Sequence, residues 1–134
     1  MQRIVVDHPP NYQQILAVLP AASKRGVIFS YGDLIYNPSG LSIPREIQAH
    51  EAEHGRRQIA MGIDEWWTRY IRDPLFRLDE EIYGHHAEWK AAARRHGPRP
   101  RDIERIAARL ASPLYGGLLT IGQAKHAIIT GVVQ

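Results

Sequence analysis

The chain has 134 residues, a formal net charge of +3 and no cysteine. That length suits one hydrophobic core and argues against two, so residues 1–134 read as a single domain. The lack of thiols excludes disulfides and thiolate metal sites, leaving His, Asp and Glu as the only candidate ligands. No apolar run approaches the roughly 18 residues of a membrane span, and the first residues lack the pattern of a secretion signal. The expectation is a cytoplasmic protein without membrane contact.

In chain order, Ile4-Val5-Val6 is a short strand candidate, and Tyr12 to Leu19 has the spacing of a short helix through Ile15, Leu16 and Leu19. Gly26 to Tyr31 and Leu34-Ile35-Tyr36 read as two strands joined by the hairpin pair Gly32-Asp33, and Asn37-Pro38-Ser39-Gly40 closes the β part. A helix is expected from about Pro44 to Met61-Gly62, with Ser42 as its N-cap and the stripe Ile47, His50, His54, Gln58, Met61 turned inward. Asp64 caps a second helix bearing Trp67, Tyr70 and Ile71, whose helical spacing, with Trp66, marks a core cluster. A third begins at Asp73-Pro74, carries Leu75, Leu78, Ile82 and Trp89 on one stripe, and stops at Gly97-Pro98. A fourth spans Asp102 to about Ala111, and a fifth opens on the capping box Thr120-x-x-Gln123 and ends at Gly131. The fold class is therefore α+β: a small N-terminal sheet of about three strands followed by a helical bundle.

The chemistry lies in His50-Glu51-Ala52-Glu53-His54. Two histidines four apart project from one helix face, so both imidazoles reach one metal ion and leave positions open for water and substrate. The carboxylate after the first histidine can then take a proton from the attacking water, the role assigned to Glu51. Glu53 falls outside the ligand face. The bland alternative is a pair of hydrogen-bonded, metal-free histidines.

A catalytic zinc generally takes three protein ligands. Position 57 is Arg and position 60 is Ala, which excludes a third histidine close behind the motif. Asp79, Glu80, Glu81 and Glu88 then compete. At about 100° per residue, Glu81 lies about 60° from the Leu78 stripe and Glu80 about 160° from it, toward solvent. Glu81 is the preferred ligand, with His85 either supporting it or replacing it. Gly84 offers a bare surface for close approach of the motif helix.

These residues resemble the gluzincin type of zinc peptidase, in particular its small single-domain minigluzincin-like versions, in which the motif helix is followed by a ligand glutamate with a small residue three positions later. The corresponding residues are His50 to His54 and Glu81-Ile82-Tyr83-Gly84; where many members carry Asp or Asn one turn after the glutamate, this chain has His85. The run Tyr31 to Pro38, the motif, Trp66-Trp67-x-x-Tyr70-x-x-Asp73 and Phe76-Arg77 also look like small metallopeptidase-like proteins of bacteriophages and prophages. The resemblance implies a zincin-like fold, a Zn2+ cofactor, a protein or peptide substrate, and a location in the host cytoplasm or with the virion. It further implies strand addition of the substrate to an edge strand, which would be Leu34-Ile35-Tyr36. Tyr115 and His126 are the candidates for stabilising the oxyanion.

Two rivals remain: an inactive zincin-like binding or assembly module, and a nucleic-acid binder using the basic stretch Lys90 to Arg109. That stretch has no interleaved aromatic residues to stack on bases, so nucleic acid is the less favoured partner. Oligomeric state is not encoded in any recognisable pattern.

Overall fold

Phe29–Tyr31 (β2) and Leu34–Tyr36 (β3) pair antiparallel across Gly32-Asp33, with Tyr31 opposite Leu34. Arg3–Val5 (β1) lies parallel to β3 on its other side, Ile4 opposite Ile35, so the strand order is β1-β3-β2. Leu34-Ile35-Tyr36 is thus the central strand, and its expected role as the edge that receives a substrate is corrected. A parallel partner comes from a distant part of the chain, so the local sequence of β3 carries no trace of it. These elements belong to a computed structural model that describes residues 2–133.

The helices follow the breakers closely. Tyr12–Val18 (α1) leads through a tight helical turn at Pro20–Ser23 to the sheet. Arg45–Met61 (α2) starts one residue after Pro44, which occupies the N-cap position, so Ser42 is not the cap. Ile63–Arg72 (α3) begins directly after Gly62; Asp64 lies inside its first turn and accepts a hydrogen bond from the Tyr31 hydroxyl instead of capping. Pro74–His96 (α4) is capped by Asp73, which accepts from the Leu75 amide. Pro100–Leu110 (α5) starts two residues before Asp102, and Ile121–Thr130 (α6) has both bonds of the Thr120–Gln123 capping box. No helix among the described residues is long and apolar enough to cross a membrane.

Two apolar clusters organise these elements. Leu78 and Ile82 of α4 pack with Ile106, Ala107 and Leu110 of α5 and with Ala124 and Ile128 of α6. Ile15, Phe29, Trp66 and Trp67 form the second cluster, so the tryptophans are core as expected. Leu75 and Met61, placed on buried stripes by spacing, are exposed instead.

Between the clusters α2 lies on α4, and two glycines set the approach. At Gly55 a Cβ would collide with the Gly32 carbonyl oxygen, so α2 rests directly on the hairpin turn. Gln58 holds it there, accepting from the Gly32 amide (2.7 Å) and donating to the Ser30 carbonyl (3.1 Å), while the Ser30 hydroxyl donates to the Glu51 carbonyl (2.8 Å). Gly84 does the same for α4, as described below.

Candidate metal centre

Where α2 meets α4, six titratable side chains are withdrawn from water: His50, Glu51 and His54 from α2, and Glu81, His85 and Glu88 from α4. Their spacing explains the convergence. Residues 50, 51 and 54 fall on one side of a helix, and so do 81, 85 and 88. So much buried charge is tolerated only where each group meets a counter-charge, a hydrogen bond or a metal ion.

The metal-facing geometry is tight. His50 Nε2 and His54 Nε2 lie 3.0 Å apart, and Glu81 reaches them with different oxygens, Oε1 at 2.7 Å from His54 Nε2 and Oε2 at 3.7 Å from His50 Nε2. Three ligand atoms on one tetrahedral zinc would be separated by about 3.3 Å, given metal–ligand distances near 2.05 Å. The observed separations, two of them to different oxygens of Glu81, lie on either side of that spacing, as expected of donors able to hold one ion. Two overlapping groups, His50-Glu51-His54 and His50-His85-Glu88, have donor atoms close enough to hold a metal ion. Glu51 Oε2 is 4.0 Å from His50 Nε2.

Glu88 anchors this arrangement from behind. Its Oε1 lies 3.0 Å from His50 Nδ1 and 3.0 Å from His85 Nδ1, and its Oε2 accepts from Arg109 Nη2 at 2.9 Å. With Nδ1–H donated to Glu88, His50 turns Nε2 to the opposite side, the nitrogen that becomes a free donor once its own proton is lost. A Cβ built on Gly84 would come within 2.8 Å of that same Nε2, so any larger residue at 84 would push the ring away.

Electrostatics follow from this packing. Burial alone lowers the His50 pKa, but hydrogen bonds to Glu81 and Glu88 outweigh it and raise the value to about 10. Burial raises Glu81, yet the charges and hydrogen bonds of His54 and His50 hold it well below the usual carboxylate range, and Glu88 is lowered in the same way by His50 and His85. Glu51 is raised because burial exceeds the pull of His54 and His50, whereas burial and the His50 charge together lower His85.

The cluster lines a cleft of about 510 Å³ that runs from Ile15 of α1 and Leu19 just after it, past Val27 and Phe29, to Leu114. The sheet edge facing the cleft is therefore β2 and the residues before it. At Ser30 that edge is already used, because its carbonyl accepts from Gln58 and from Trp67 Nε1.

His50, Glu51, His54, Glu81 and Tyr115 are brought together as expected from the sequence. Tyr115 donates its hydroxyl to Glu81 Oε2 at 2.8 Å, so it is engaged on that carboxylate rather than free in the cleft. His126 is corrected: it is exposed on α6 and lines no part of the cleft, because the buried face of α6 is Ala124, Ala127 and Ile128. Glu80, expected in solvent, is buried and grips Arg57 through both oxygens (2.8 Å each) and Trp66 Nε1 (2.7 Å). The sequence reading missed Glu88 as the carboxylate behind His50, although 81, 85 and 88 share a helix face. It also missed Arg109, for which no local signal exists. Part of the basic stretch is paired, with Arg95 on Glu46, Arg99 and Arg105 sharing Asp102, and Arg109 on Glu88. No known protein family, curated protein or solved structure matches the chain.

Proposed function

We propose that the chain is a zinc-dependent peptide hydrolase, with the ion held by His50, His54 and Glu81 and with Glu51 as general base. The supporting observation is the convergence of three donor groups from two helices at the spacing of one ion's ligands, on the wall of a cleft large enough for several residues of a peptide. An ion bound there supplies a Lewis acid that polarises a peptide carbonyl and acidifies water.

The chain's own groups do the rest. Glu51 Oε2, beside His50 Nε2, takes the proton of the attacking water and delivers it to the leaving amine. The upward shift that burial gives Glu51 suits a carboxylate that must hold that proton between the two steps. Glu88 keeps His50 in the tautomer that offers Nε2, and Tyr115 orients Glu81. Arg109, half exposed in the cleft and using one nitrogen on Glu88, presents its remaining N–H groups toward a bound peptide.

The test is Glu51→Gln measured against a mixed library of fluorogenic peptides, with bound zinc quantified in parallel. Hydrolysis should be lost while zinc content stays at the wild-type level. Full activity in the variant would sink the mechanism.

A further inference from the structure

Beyond the three ligands, one imidazole of the cluster is left incomplete. His85 is 2 % exposed, and its Nδ1 lies 3.0 Å from Glu88 Oε1, yet its Nε2 has no hydrogen-bond partner. With Nδ1–H donated to Glu88, that Nε2 carries a lone pair, on a side chain almost wholly withdrawn from solvent, with no protein partner among the described residues. Leaving such an acceptor unsatisfied costs about 1 to 3 kcal/mol, so a buried polar atom of this kind calls for a partner. No side chain among the described residues supplies one. His54 also has an unpartnered atom, but it is Nδ1, across the ring from the nitrogen already facing His50 and Glu81.

The position of His85 identifies the partner. Its Nε2 lies 3.9 Å from Glu81 Oε2, close to the 3.7 Å that separates Glu81 Oε2 from His50 Nε2. Its ring stands 4.6 Å from the His50 ring at 74°, almost the relation of the motif pair His50 and His54, at 4.7 Å and 76°. Glu81 and His85 are one turn apart on α4, so both project to the same side. We infer that His85 Nε2 is a fourth protein donor to the metal ion, in addition to His50, His54 and Glu81. The inference rests on the metal-site reading above. It makes the centre richer in imidazole than a two-histidine site and ties both Nδ1 atoms of His50 and His85 to the single carboxylate oxygen of Glu88. Four protein donors would fill a tetrahedral zinc, so water would enter only by expansion to five ligands.

The measurement uses the wild-type chain with histidine nitrogens isotopically labelled and cadmium as the bound probe, reading nitrogen–cadmium scalar couplings by NMR. Three coupled imidazoles are expected, and the coupling assigned to residue 85 should vanish in His85→Gln. Two coupled imidazoles, those of His50 and His54, would overturn the inference and leave the metal site standing. Failure of the wild type to bind cadmium or zinc at all would overturn both. A second readout is competition with a chromophoric chelator, in which His85→Ala should weaken zinc binding by more than about tenfold, while an unchanged affinity would count against the fourth donor.

Discussion

Gly84 and His50 meet backbone to ring: a Cβ on Gly84 would fall 2.8 Å from His50 Nε2, the atom that faces the metal position. The missing side chain of one helix is thus part of the other helix's ligand geometry. Gly84→Ala should therefore displace the imidazole, at a cost in stability of about 1 to 3 kcal/mol for an overpacked contact. The decisive number is zinc affinity, which should fall by at least about tenfold by chelator competition. A variant that loses stability but keeps its affinity would show that the contact is only steric.

Glu88 serves three donors, from His50, His85 and Arg109, with one buried carboxylate. Glu88→Gln keeps the shape but turns an N–H toward groups that are themselves donors. Zinc affinity should drop about 10- to 100-fold, as for other groups that orient a ligand histidine. Truncation to Ala should cost about 3 to 5 kcal/mol of folding free energy, since it strands the Arg109 and histidine N–H groups. Denaturant titration of metal-free protein, beside chelator competition for zinc, separates the two effects.

Proton linkage gives a third expectation. In the metal-free protein His50 titrates at about 10, above its ordinary 6.5, and a ligand imidazole must be neutral at Nε2. Zinc uptake near pH 8 should therefore release about one proton per ion, visible by calorimetry in buffers of different ionisation enthalpy. The raised value also means that His50 stabilises the metal-free fold fully below pH 6.5 and loses that contribution as pH rises through about 10. Glu81 is depressed, so its contribution is present above its ordinary 4.5 and is lost as pH falls below it. The metal-free melting temperature should accordingly be highest between about pH 4.5 and 6.5 and decline on either side. A profile flat from pH 6 to 10 would contradict the His50 assignment.

Glu80 supplies the contrast. Its neighbour Glu81 faces His50 and His54, while Glu80 binds Arg57 and Trp66 from an adjacent face of the helix. Glu80→Ala should destabilise the fold by about 3 kcal/mol, the scale of a broken buried pair, and leave zinc affinity within about twofold. Loss of affinity comparable to that of Glu81→Ala would mean that the two carboxylates do not have separate tasks.

Local signals carried the helices well: Asp73 capping α4, the Thr120 box opening α6, and Gly97 and Gly131 closing their helices all act through residues within a turn of one another. The inward angle of Glu81 was legible for the same reason. The reading of Glu80 went astray because a single apolar stripe defines one buried face, whereas α4 is covered by α5 and α6 on one side and by α2 and α3 on others. Central placement of β3, the hydrogen bond from Arg109 to Glu88 and the exposure of His126 are all settled by contacts between distant segments. Periodicity cannot see these.

The apolar cluster of α4, α5 and α6 and the apolar cluster around Trp66 do not merge; the layer of imidazoles and carboxylates between α2 and α4 divides them. Mechanically, the molecule has a seam, and its cohesion there depends on protons and ions rather than on oil-like contact. Neither half is bridged by sulfur, since the chain has no cysteine. Hydrogen exchange should register this as α2 amides that open well before those of α5 and α6 once metal is withdrawn, with zinc restoring uniform protection.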